Sequence, residues 1–199
     1  LSDLAAGDLR SFLTGYLRCR MQTASTVEPL VGGFLVQYAR PMRRSRELYI
    51  EASQIERAAG FVPGPDTWVT VIGALPEPPW PPLLAALAPI QHEFVMAAAL
   101  PLDARAGPAQ RGTADDVAAL NAHGEFPMIE AGLADSREAA LFVARDDGEI
   151  GAIGRYGLGE NGDVVADRMV TLDRFRRRGL ASAILYAMSA DAGAAGARR

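Results

Sequence analysis

The spacing of apolar and polar positions divides the chain into helical and extended runs. Residues 4 to 21 place Leu4, Leu9, Phe12, Leu13, Tyr16 and Leu17 at helical intervals and predict an amphipathic helix. Gly32-Gly33 opens an extended stretch, "FLVQYARP". An arginine-rich turn (Arg43, Arg44, Arg46) separates it from "ELYIEA", and the two runs predict a hairpin. "QIERAAG" reads as a short helix, and Pro63-Gly64-Pro65-Asp66 as a turn. "TWVTVIG", rich in β-branched and aromatic residues, reads as a strand. Pro76, Pro78, Pro79, Pro81 and Pro82 then break the chain before a short helix, "LLAALA", and a further strand, "EFVMAAAL".

Pro101 to Gly112 reads as a connection. Thr113 suits a helix N-cap before "ADDVAAL", with Asp115 and Asp116 at the positive end of the helix dipole. A second short helix is expected around Met128 to Gly132. Three extended runs follow: Ala140 to Arg145, Ile150 to Leu158, and Val164 to Thr171. Asp147-Gly148 and Asn161-Gly162 lie between them, and both dipeptides suit tight turns that need positive φ. The expectation is a three-stranded antiparallel meander. Gly179 to Ala192 then reads as a helix with Leu180, Ile184, Leu185 and Met188 on one face.

Composition narrows the class. The chain has 199 residues, 49% hydrophobic and 22% charged, with a net charge of -4, the balance of a globular protein able to bury a core. Every one of the 20 basic side chains is arginine, a bias expected of a GC-rich and hence bacterial genome. The single cysteine, Cys19, permits no intrachain disulfide and fits a reducing cytoplasm. His92 and His123 are far apart, and no metal site is expected. No apolar run reaches the roughly 18 residues of a membrane span. The chain begins without methionine and closes directly on a helix, so both ends read as cut from a longer frame.

The stretch with most chemical content is "RFRRRGLAS", Arg174 to Ser182. It joins a predicted strand end to a predicted helix start. Helix N-termini expose unpaired N–H groups and partial positive charge. Glycine and small residues there let a phosphate approach the backbone, and guanidinium forks suit its oxygens. The physical reading is a phosphate or pyrophosphate site. A solvated charged turn is the plainer alternative, and a nucleic-acid patch is disfavoured by the acidic net charge and by Phe175 being the lone interleaved aromatic.

Here the residues resemble a known family. Arg176-x-x-Gly179-x-Ala181 is similar to the Arg/Gln-x-x-Gly-x-Gly/Ala loop of the GNAT acyltransferase superfamily. The likeness extends back through "DRMVTLDRF" and forward through the helix, and covers residues 101 to 199. It implies an α/β (α+β) fold, a mixed and mostly antiparallel sheet flanked by helices, and an N-acetyltransferase that carries an acetyl group from acetyl-CoA to a primary amine of a small molecule or protein. It implies a pyrophosphate held by the amides of Arg177, Arg178, Gly179, Leu180, Ala181 and Ser182, with Arg176 opening the motif. It also implies a pantetheine arm along Met169, Val170 and Thr171. Asp167 shares a strand face with Met169 and Thr171 and is the candidate general base; an ion pair with Arg168 or a neighbouring strand is its alternative role. The tyrosine acid that many members carry would lie beyond the last residue given.

Residues 101–199 are thus expected to form a GNAT domain incomplete at its C-terminus, and residues 1–100 an α+β region that could be a degenerate second GNAT-like half. A homodimer is compatible with this reading. A coenzyme A-binding or protein-interaction module without catalysis is the alternative. Cys19, Trp68 and Trp80 are expected in the core, with a substrate-pocket lining the alternative for either tryptophan, His92 and His123 in structural or surface positions, and Arg40, Arg43, Arg44 and Arg46 in solvent.

Overall fold

The computed structural model describes residues 6–30, 32–40, 44–73, 81–85, 87, 100, 102 and 107–198. The expectations for His92, Trp80, Arg43 and all of the "EFVMAAAL" strand but Leu100 fall on residues outside these. The chain divides into two compact units. The first takes the chain up to Arg10 together with Gln22–Met96; the second takes Ser11–Met21 together with Ala97–Arg199. Helix α1 (Ala6–Cys19) therefore passes from one unit into the other.

The first unit holds strands β1 (Thr26–Leu30), β2 (Gly33–Gln37), β3 (Arg46–Glu51) and β4 (Thr67–Ile72), with a 3-10 turn at Ala52–Ala58 and the short helix α2 (Pro82–Ala85). Its sheet is mixed: β1, β2 and β3 are successively antiparallel, and β4 lies parallel to β3. The expected hairpin is β2–β3. Strand β1 was not anticipated from sequence. It is a mostly exposed edge strand with no apolar stripe, and Pro29 is tolerated there because an edge position need not donate a ladder bond. Leu35, Leu48, Ile50, Ile55 and Leu83 form this unit's core. Arg44 is not the solvated charge expected. It pairs with the buried Glu47 and lies over the ring of Trp68 at 4.4 Å, which leaves Trp68 half-buried. Glu47 also accepts hydrogen bonds from Tyr38 Oη, at 2.6 Å, and from Thr70.

The second unit contains β5 (Ala109–Arg111), α3 (Ala114–His123), a 3-10 turn at Ala131–Leu133, β6 (Ala139–Asp146), β7 (Glu149–Leu158), β8 (Val164–Thr171), a 3-10 turn at Asp173–Phe175 and α4 (Leu180–Ala194). Its sheet is antiparallel throughout, in the order β5-β6-β7-β8. The meander is as expected. The supposed connection Pro101 to Gly112 is corrected at its end, where Ala109–Arg111 pairs with β6; three residues amid Pro, Gly and Ala carry too short a pattern to read. Asp147 and Gly148 both have positive φ, at 51° and 85°, which fits a tight two-residue turn between β6 and β7. The β7–β8 link is longer, five residues closed by Gly159 N–H donating to the Asp163 carbonyl at 2.8 Å.

Helices cover both faces of this sheet. Helix α4 packs Leu180, Ile184, Met188 and Ala192 on Phe142, Ala152 and Tyr156. Leu185 is an exception to the expected stripe, because one residue beyond Ile184 turns it about 100° away, and it is exposed. The other face is closed by Val117, Leu120, Phe126, Ile129 and Leu133 against Leu141, Val143 and Ile153. Each such buried side chain contributes roughly 1.5–3 kcal/mol. Thr113 caps α3 in a reciprocal box with Asp116, as its sequence predicts, and His123 is exposed in the last turn. The Ser11–Met21 segment approaches β7 at a bare backbone contact: a Cβ on Gly157 would lie 2.0 Å from the Gly15 carbonyl oxygen.

Candidate functional site

Strand β8 lies at the edge of its sheet among the described residues. Its pairing with β7 is interrupted. Ile153 pairs with Val170 and Arg155 with Asp167, so three steps on β8 span two on β7. This is a bulge, and Arg168 sits in it with a left-handed φ of 50°. Beyond the bulge Leu172 N–H donates to the Gly151 carbonyl at 3.0 Å. By the alternation of an antiparallel ladder, Thr171 then turns its N–H and C=O away from β7, toward the edge. The Met169 side chain is 38% exposed and lies by Gly154, near Ile184 and Met188 of α4.

The chain next makes the 3-10 turn Asp173–Phe175, with the Phe175 ring buried. Arg174 and Arg178 flank that ring, their guanidiniums 5.1 and 5.4 Å from its centre. Arg174 bonds both oxygens of Glu125, at 2.7 and 2.9 Å, and also reaches Glu149. Arg178 pairs with Asp146, and Arg176 with Asp173 at 2.9 Å. Of the arginine run, Arg177 alone has no partner among the described residues; it is exposed, with φ at 63°.

Gly179 then opens α4 in the left-handed conformation, φ 79°, which a residue with a Cβ adopts only at a cost of about 1 kcal/mol or more. Nothing lies within 4 Å of where that Cβ would be. No side chain caps the helix. The first helical bond runs from Ala183 N–H to the Gly179 carbonyl at 2.9 Å, so the N–H groups of Leu180, Ala181 and Ser182 have no acceptor within the helix. Leu180 is buried and anchors the start, while Ala181 and Ser182 face solvent. The loop thus brings together an open backbone, a positive helix end and one free guanidinium. Such a place accepts an anion, and the absence of any Cβ at Gly179 leaves room for a phosphate to reach the amides.

Asp167 lies on the face of β7–β8 opposite α4, in a cluster of charge. Arg20 reaches its two oxygens through Nε at 3.0 Å and Nη2 at 3.2 Å, and Arg155 through Nη2 at 3.3 Å. Arg155, only 3% exposed, also donates to Glu130 at 3.0 Å. This answers to the ion-pair role open to Asp167, with Arg155 of the neighbouring strand and Arg20 as its partners instead of Arg168. Cys19 sits beside them, free and buried; burial first, and then the Asp167 carboxylate, push its thiol up to about 12. Arg20, Glu130 and Arg155 were not singled out in the sequence. Arg155 did leave a signal there, a charge between two glycines in the otherwise apolar run "GAIGRYGL".

No family model matches the chain. No curated protein matches it in sequence. Solved structures do resemble it, among them these two. One is a protein from the GNAT family from Novosphingobium aromaticivorans, 19% identical, with a TM-score of 0.39; the likeness covers 48% of this chain and 43% of that one, less than half of its length. The other is a GCN5-related N-acetyltransferase from Kribbella flavida, 14% identical, with a TM-score of 0.51 over 92% of this chain and 83% of that one. The second likeness shows that the chain has a GNAT-like fold, an α+β arrangement of mixed and antiparallel sheets with flanking helices.

Proposed function

We propose that this chain is a GNAT-superfamily N-acetyltransferase, which moves the acetyl group of acetyl-CoA to a primary amine, with the cosubstrate held on the second unit. One observation carries the reading: the uncapped, exposed start of α4 at Gly179 follows a strand that is bulged and at the edge among the described residues, one 3-10 turn after its end. The amides from Arg177 to Ser182 would face the pyrophosphate, with the Arg177 guanidinium as the free cation beside them. The outward backbone of Thr171, with Met169 and Val170 before it, would pair with the pantetheine arm. In the reaction the amine nitrogen bonds to the acyl carbon as the carbon–sulfur bond breaks; one proton must leave the amine and one must reach the thiolate.

The strand face that alternation predicts Asp167 to share with Met169 is not kept: the bulge at Arg168 intervenes, Met169 lies by Ile184 and Met188 of α4, and Asp167 lies on the other face, where Arg20 and Arg155 occupy its oxygens. We assign it the role of holding Arg155 and the strand, so Asp167→Asn should leave turnover within a few-fold of the parent. A loss of several orders of magnitude, with a changed pH profile, would restore the base assignment.

The same ion pairs favour a second reading, a coenzyme A-binding module without catalysis. Thermal unfolding with acetyl-CoA, together with turnover on a panel of amines, separates the possibilities. Binding at a hundred times Kd should add about 2.7 kcal/mol of stability. Binding with turnover supports the enzyme, binding alone supports the module, and no shift in melting temperature removes both.

The first unit is assigned to a degenerate second half. It too has three successive antiparallel strands followed by a helical turn. Its passage from Glu51 through Ala58 contains no glycine, so it offers no open loop of the kind at Gly179.

A further inference from the structure

The charges around Asp167 do not balance. Arg20, Arg155 and Arg168 supply three guanidiniums; Asp167 and Glu130 supply two carboxylates. Arg155 is shared between both carboxylates, and Arg20, stacked 4.2 Å from the Tyr16 ring centre, takes Asp167. Arg168 has no hydrogen bond or ion pair among the described residues and is exposed at the bulge. Loss of solvent, and then the neighbouring Arg20 and Arg155, disfavour its charged form more than Asp167 favours it. An arginine does not give up its proton in response. A bound anion would relieve this unfavourable field.

The place of this cation matters. Arg168 immediately precedes Met169, Val170 and Thr171, the segment assigned above to the pantetheine arm. An anion held at Arg168 would sit beside the reacting end of that arm. One uncompensated positive charge matches a monoanion, and a guanidinium fork matches a carboxylate in two-point geometry. The same positive field lowers the pKa of an ammonium group placed near it, which favours the neutral nucleophile, and it repels diamines that bring only positive charge.

We propose that Arg168, backed by Arg20 and Arg155, binds a carboxylate of the acceptor, so that the acceptor is a primary amine that also carries a carboxylate, as an amino acid does. This rests on the reading of the second unit as an acetyltransferase.

The test has two arms. In the first, amino acids, their carboxamides and a simple diamine are compared as acceptors for the full chain and for Arg168→Gln. The free acids should show KM at least tenfold below the carboxamides, the diamine should be the poorest, and Arg168→Gln should remove the preference by raising KM for the acids while acetyl-CoA affinity is retained. Arg168→Lys should recover part of it. In the second, N-acetyl amino acids and N-acetyl amino acid amides are titrated calorimetrically without coenzyme A. The acids should bind and the amides should bind at least tenfold more weakly, with the difference lost in Arg168→Gln. Amides that serve or bind as well as acids, or a preference that survives Arg168→Gln, overturn the proposal. Failure of acetyl-CoA to bind would instead sink the acetyltransferase reading, and the second arm still decides the anion site.

Discussion

Gly179 offers a perturbation that separates a structural role from a binding role. Gly179→Ala places a methyl group on a residue with φ of 79°, where nothing lies within 4 Å. No clash is introduced, so the stability loss is the left-handed penalty alone, about 1 kcal/mol. For a domain of about 100 residues that lowers Tm by about 4 °C or somewhat more. The methyl group also enters the mouth of the α4 N-terminus, where the amides of Leu180 to Ser182 are directed. Losing close approach to one such amide forfeits a charge-assisted bond worth about 1.5–3 kcal/mol, or about tenfold to a hundredfold in Kd. Gly124→Ala is the matched control. Gly124 ends α3 with φ of 69° and nothing within 4 Å of its would-be Cβ, and it is not among the residues proposed to touch the ligand. Melting curves and acetyl-CoA titrations of both variants should show similar Tm losses but weakened binding in Gly179→Ala alone. Binding by Gly179→Ala within twofold of the parent, or an equal loss in Gly124→Ala, refutes the reasoning.

Two further outcomes follow from titrating groups. Burial alone would raise the Asp116 carboxyl, but hydrogen bonds donated by the Thr113 N–H and hydroxyl and the pairing with Arg145 outweigh it and hold it below the usual carboxylate range. A depressed folded pKa stabilises above the unfolded value, and that stability is lost as pH falls through the folded value. Asp116→Asn should therefore lower Tm at pH 7, with the gap closing below about pH 4; a gap constant to pH 2 contradicts this. Cys19, buried and pushed up to about 12, should resist a thiol reagent at pH 8 in the native chain and react fully once unfolded; rapid native labelling would contradict its placement.

Local pattern carried much of the second unit. The meander, the Thr113 cap and the glycine that opens α4 each depend on residues within a few positions of one another, which is the range over which periodicity and turn chemistry act. Strands β1 and β5 were hidden for opposite reasons. The first is a mostly exposed edge with a proline, and the second is three residues long. The charge cluster was hidden because its partners are distant in sequence: Arg20 and Asp167 are 147 residues apart. The passage of α1 between units was hidden as well, since the close approach of Gly15 to Gly157 joins residues far apart in sequence. The arginine run shows the converse. Its density suggests a block of free charge, yet Arg174, Arg176 and Arg178 are bound to carboxylates and only Arg177 is left.

The most direct measurement is a calorimetric titration of the chain with coenzyme A, 3′-dephospho-coenzyme A and pantetheine. If the amides at the start of α4 hold a pyrophosphate, the first two should bind, and pantetheine, which lacks the pyrophosphate, should be weaker by at least a hundredfold. Equal binding of pantetheine, or no binding of coenzyme A, would contradict the assignment of Gly179 and its neighbours.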